Sequence, residues 1–113
     1  MHEMTLAEEI ILLLEQQAIT QGFTCVKQLW LEIGELAGVD AEALGFCLET
    51  IKRDTLAADA RVHIRHQSGQ GHCPRCEQTL IVHSRLDACP QCGHYPLQIH
   101  GGDAMRVCEL EVE

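Results

Sequence analysis

Long apolar stretches are missing from this chain of 113 residues. None approaches the ~18 consecutive residues that a membrane-spanning helix needs, so no span is expected. Positive charge is scarce. Eight Lys and Arg stand against seventeen Asp and Glu, a net charge of −9. A protein that grips nucleic acid needs a basic face to displace counterions, so nucleic acid is not an expected partner. The shortage is uneven: up to Ala60 there are 11 acidic and 3 basic residues, and beyond it 6 and 5. The start, Met1-His2-Glu3-Met4, lacks the basic segment that opens a secretory leader. The seven cysteines are an odd number, which fits a reducing cytoplasm better than a disulfide framework. Catalytic constellations are absent too. No Ser or Cys nucleophile has a base visible beside it, and no G-x-x-x-x-G-K-[ST] cradle for phosphate occurs. The expectation is a cytoplasmic protein that is not an enzyme.

What the chain does have is a cysteine quartet. Cys73-Pro74-Arg75-Cys76 is followed, twelve residues on, by Cys89-Pro90-Gln91-Cys92-Gly93. Each C-x-x-C pair can close a tight turn that aims two thiolates at one point. Two such turns surround one tetrahedral ion, and Zn²⁺ suits soft thiolates while imposing no geometry of its own. Pro at the second position and Gly after the last Cys suit such turns. The competing reading is two disulfides or unrelated thiols. Four thiolates would saturate the zinc and leave no position to activate water, so the centre is expected to be structural. A chain of this size buries only roughly two-thirds of its unfolded surface, and a metal staple compensates.

Around the quartet, periodicity gives the fold. Thr5-Leu6-Ala7-Glu8 has the form of a capping box. Leu6, Ile10, Leu13, Leu14 and Ala18 follow at helical spacing to Gly22, which predicts a helix over 6–21. From 26 to 33 the period becomes two, with Leu29, Leu31 and Ile33 on one face and Gln28, Trp30 and Glu32 on the other. Asp40 caps a second helix that carries Leu44, Cys47, Leu48 and Ile51 on one face and ends near Asp54. Residues 60–66 alternate again. Residues 68–71 and Gly101-Gly102 read as linkers, and 105–112 as a last strand that returns to the first sheet. The expected fold is α+β (mixed α/β): two helices on a small three-stranded sheet with an inserted four-cysteine zinc-ribbon module. The domains follow as 1–68 plus 102–113, and 69–101 for the ribbon. Cys25, Cys47 and Cys108 are expected to be core or half-buried thiols. His63, His66, His83 and His100 are expected on the surface. His72 and His94 flank the quartet as bystanders, as hydrogen-bond donors to its thiolates, or as ligands that exchange with a thiolate.

The start of the chain offers a second metal reading. A bulky second residue should protect Met1 from removal. The Met1 amine, the His2 backbone nitrogen and the His2 Nδ1 can then close a five- and a six-membered chelate ring. A further amide, such as that of Glu3, or an outside imidazole such as His100, would complete a square. Strong-field nitrogens in a square select Cu²⁺ or Ni²⁺ over Zn²⁺. A frayed, solvated chain end explains the same residues.

The whole chain resembles the HypA/HybF family of nickel metallochaperones for [NiFe]-hydrogenase maturation. The resemblance rests on Met1-His2-Glu3-Met4-Thr5-Leu6, on residues 26–39 with Leu31-Glu32-Ile33-Gly34-Glu35-Leu36, and on Leu44-Gly45-Phe46-Cys47. It also rests on the two C-x-x-C pairs and on Gly102-Asp103 followed by Glu109-Leu110-Glu111-Val112. It implies a nickel domain and a zinc-ribbon domain. It also implies delivery of Ni²⁺ to the hydrogenase large-subunit precursor, in cooperation with a HypB-type GTPase. The ligands it implies are His2 with the backbone nitrogens of Met1 and Glu3 for nickel as cargo, and Cys73, Cys76, Cys89 and Cys92 for structural zinc. A weak homodimer is compatible with it; membrane is not an expected partner. Some members set a His directly beside a C-x-x-C pair and exchange it into the zinc site. Here His72 precedes Cys73, and Gly93 separates Cys92 from His94. Two rival readings remain: a zinc-ribbon adaptor with no nickel role, and a thiol oxidoreductase without bound zinc.

Overall fold

The computed structural model describes residues 2–113. Its elements in chain order are α1 (Glu3–Gln21), β1 (Val26–Gly34), α2 (Ala41–Ile51), β2 (Arg61–Gln67), β3 (Gly69–Cys73), β4 (Gln78–Val82), β5 (Gln98–Gly101) and β6 (Met105–Val112). The strands form two three-stranded sheets, ordered β2-β1-β6 and β4-β3-β5. The last strand therefore returns to the first sheet beside β1, and the mixed α+β class is observed. By contacts the chain falls into two units. One comprises residues up to Leu31, Val39–Arg65 and Arg106–Glu113; the other comprises Glu32–Gly38 and His66–Met105.

In the first unit, α1 begins earlier than the capping box predicts. His2 is the N-cap, with extended backbone (φ −95°, ψ 98°) and no side-chain cap, and its carbonyl accepts the Leu6 N–H at 3.1 Å. Thr5 lies inside the helix. The reason is tertiary: the Glu3 carboxylate accepts the Asp40 N–H at 3.1 Å, which holds the first turn against the start of α2. Gly22 closes α1 as expected, at φ 77° with its N–H on Ala18 O at 2.8 Å. Asp40 caps α2 through the Ala43 N–H at 3.1 Å. That helix stops at Ile51, short of the expected end. Lys52 instead sends its Nζ to Ala60 O at 2.6 Å, and the chain turns through Asp54 at φ 61°. Ala7, Ile10, Ile11 and Leu14 of α1, Val26, Leu29 and Leu31 of β1, and Leu44 and Leu48 of α2 are buried. The other face of β1 is half-buried and polar. Trp30 stacks on His63 with ring centroids 4.9 Å apart, Arg65 lies 5.9 Å over the Trp30 ring, and Cys108 Sγ donates to Trp30 O at 3.4 Å. His63 is therefore not the free surface histidine that alternation suggests.

In the second unit, the expected linkers are structure. Gly69 and Gly71 lie in β3, and Gly101 ends β5. β3 pairs antiparallel with β4, from Gly69 opposite Val82 to Cys73 opposite Gln78. These glycines are present because backbones cross, not because the chain swings. A Cβ on Gly34 would stand 2.2 Å from the Gly102 carbonyl, and one on Gly102 would stand 2.2 Å from Ser68 O. Gly102 is also at φ 69°, a region in which L side chains are strained. The Leu36 N–H reaches Gly102 O at 2.7 Å and the Glu35 N–H reaches Gln67 O at 2.8 Å, which knots the same crossing. Leu36, Val82 and Leu97 form the core with Cys73 and Cys89.

Candidate metal centre

β3 delivers Cys73 at its end, and a tight turn brings Cys76 back beside it. The Glu77 N–H closes this turn on Cys73 O at 2.7 Å. The second turn repeats the first: the Gly93 N–H reaches Cys89 O at 2.8 Å. The residue that closes each turn has positive φ, 55° at Glu77 and 77° at Gly93. Sequence reading singles out Gly93 and misses Glu77, because a non-glycine residue in that conformation leaves no local mark. Asp87 shapes the approach to the second turn by accepting the N–H groups of His83 and Ser84 at 2.9 and 3.2 Å.

The two turns bring all four sulfurs within 4.8 Å of one another. Cys73 Sγ lies 3.7 Å from Cys92 Sγ, and Cys76 Sγ lies 3.9 Å from Cys89 Sγ. A disulfide bond needs ~2.05 Å, so these are thiols and not bridges. A tetrahedral ion with sulfur bonds of ~2.3 Å requires sulfurs about 3.8 Å apart, and the quartet fits that spacing. Cys73 and Cys89 are buried, while Cys76 and Cys92 are half-buried. The backbone N–H groups of Cys92 and Gln91 aim at the Cys89 sulfur and hold its pKa down to about 7. Cys76 is pushed up to about 12, first by its hydrogen bond with Cys92, then by desolvation and the other two thiols. Four thiolates packed this closely repel one another, so a cation is what lets the set ionise together.

Among the described residues no histidine nitrogen joins the sulfur group. His72 is half-buried on β3, opposite Thr79 and Gln98. His94 contributes its carbonyl to the Cys89 N–H at 2.9 Å. His66 and His100 are exposed, and His83 Nδ1 contacts Glu35 at 2.7 Å. His2 is exposed at the mouth of α1. The Glu3 amide that follows it is in the first turn, where an amide has no intrahelical acceptor. The Met1 amine, expected as a third donor, lies outside the described residues.

The fold and the quartet define a class: small α+β proteins that carry, besides helices on a sheet, four cysteine sulfurs spaced for one metal ion. The comparisons narrow it. Residues 1–112 match the family described as "Hydrogenase/urease nickel incorporation, metallochaperone, hypA". The chain is 50% identical over 113 residues to the hydrogenase maturation factor HypA of Azotobacter vinelandii, and 51% identical to that of Azotobacter chroococcum mcd 1. In both comparisons the whole of each chain is covered. The solution structure of the Ni metallochaperone HypA from Helicobacter pylori has a similar fold, with a TM-score of 0.74 at 24% identity. That match covers 99% of this chain and 97% of the other. This chain belongs to the HypA family of nickel-incorporation metallochaperones, which serve hydrogenase maturation and are not enzymes. Among the described residues no helix is long and apolar enough to cross a membrane.

Proposed function

We propose that this chain carries Ni²⁺ at its start and a structural Zn²⁺ on Cys73, Cys76, Cys89 and Cys92. It delivers the nickel to the [NiFe]-hydrogenase large-subunit precursor in the cytoplasm, in cooperation with a HypB-type GTPase. The nickel ligands are the His2 imidazole and the backbone nitrogens of Met1, His2 and Glu3. In functional terms residues 1–68 and 102–113 form the nickel domain and 69–101 form the ribbon.

The observation that carries this reading is the position of His2. It is an exposed N-cap, so its ring is open to an incoming ion, and the Glu3 amide beside it stands in the first turn, where it has no intrahelical acceptor. The Glu3 side chain is turned away to Asp40, which leaves the Glu3 amide as the donor on that residue. Solvent access suits cargo that has to be released, whereas the half-buried quartet suits a resident ion. The two sites also differ in chemistry: nitrogens that can form a square favour Ni²⁺, and a tetrahedral thiolate set favours Zn²⁺. The imidazole, amine and amides must lose protons to bind, so nickel affinity falls as pH drops.

The test is to block the amine. Isothermal titration of Ni²⁺ into protein with a residue added before Met1 should show nickel binding weakened about tenfold or more, ~1.4 kcal/mol. Zinc content should be unchanged. Equal nickel affinity in both forms would remove the amine from the site.

A further inference from the structure

Helix α1 has more apolar surface than its core position uses. Ala7, Ile10, Ile11 and Leu14 form its buried face. On the opposite side Leu12 is 55% exposed and Ile19 is 85% exposed. These two are seven residues apart, and Glu8 and Glu15 lie at i−4 and i+3 from Leu12. Residues at such spacings share one stripe of a helix. The stripe therefore alternates acid and apolar along its length: Glu8, Leu12, Glu15, Ile19. The helix also carries Glu3 and Glu9, and it contains no Lys or Arg. Among the described residues some carboxylates pair with Lys or Arg: Glu49 with Lys52, Glu109 with Arg65 and Glu113 with Lys27. Among the described residues Glu8, Glu9 and Glu15 have no such partner.

We propose that this stripe of α1 is a docking surface for a helix of a partner protein that alternates apolar with Lys or Arg side chains. Leu12 and Ile19 supply the apolar contact, and the unpaired Glu8 and Glu15 select the cationic sequence. Charge decides against the other occupants. A second copy of this chain offers the stripe no cation: a parallel pair sets carboxylate on carboxylate, and an antiparallel pair sets each carboxylate on an apolar side chain. Nucleic acid and anionic lipid carry the same sign as the stripe. An exposed apolar pair framed by uncompensated charge of one sign is recognised by the complementary pattern, since complementary charge sets partner choice and encounter rate. No residue of the stripe is a ligand in either proposed metal site, so the inference stands or falls apart from the nickel reading.

The test uses a synthetic, fluorescein-labelled helical peptide with Leu and Lys at the complementary heptad positions. It is titrated with the full-length, nickel-free protein and followed by anisotropy. A version with Lys replaced by Glu, and a version with Leu replaced by Ser, serve as controls. Binding of the Leu/Lys peptide alone is expected, with amide shift changes confined to α1. Leu12→Ser/Ile19→Ser and Glu8→Lys/Glu15→Lys should each weaken binding about tenfold or more. The proposal is overturned by absence of binding, by equal binding of the Leu-to-Ser peptide, by shift changes centred elsewhere, or by unchanged affinity in the folded variants. Amide shift mapping on the wild type decides the matter even where a variant fails to fold.

Discussion

Glu3 is adjacent to His2 and has a different task. Its carboxylate holds the Asp40 N–H at 3.1 Å, so the first turn of α1 is tied to the cap of α2. Glu3→Ala should cost about 1 kcal/mol, the usual size of a lost capping-type hydrogen bond, and lower the urea midpoint. The contact spans 37 positions, and no local pattern could disclose it; the capping box at Thr5 and Glu8 was the visible signal and the structure does not use it. Gly93 was legible, because glycine after a C-x-x-C pair is a turn mark. Gly93→Ala should destabilise by ~1–2 kcal/mol, the strain of an L residue at positive φ, with Gly93→Asn less harmful. Thermal melts of the metal-loaded variants check that order. Glu77 holds the equivalent place in the other turn with its side chain intact, and only the closing hydrogen bond reveals the equivalence.

The elements of the first unit were legible because each obeys its own period. β1 shows the alternation of Leu29, Leu31 and Ile33, and α2 shows both its cap and its apolar face. The second unit was harder to read. β3 is Gly-Gln-Gly-His-Cys and β5 is Gln-Ile-His-Gly; neither has the β-branched alternation that marks a strand. Glycine reads as linker, yet here it permits backbones to touch. The crossing of Gly34, Ser68 and Gly102 is the sharpest case, with no space for a methyl group. Gly102→Ala should destabilise by about 3 kcal/mol, from overlap with backbone and strained φ together. Differential scanning calorimetry reads this directly. A flexible linker would show almost no change.

At the scale of the whole molecule the two units differ in what holds them. The buried residues of the first, including Leu14, Leu29, Leu31, Leu44 and Leu48, are ordinary apolar packing. In the second, the ligand candidates Cys73 and Cys89 are packed in one core cluster with Leu36, Val82 and Leu97. Structural zinc is worth ~10–16 kcal/mol in small peptides, so chelation should raise amide exchange across β3, β4 and β5 while the helical far-UV signal persists. Loss of both together would show that the first unit depends on the quartet. The cysteine quartet was the most legible feature of the sequence, since spacing alone specifies two turns. The start of the chain was legible as chemistry but not as structure, because a two-residue chelate has no periodicity. The account rests most directly on separate sites for separate metals. Equilibrium metal analysis of wild type and His2→Ala, with Ni²⁺ and Zn²⁺ both present, is the measurement that tests it. The expected result is loss of stoichiometric nickel in His2→Ala with zinc still near one per chain, and full nickel occupancy in that variant would contradict the account.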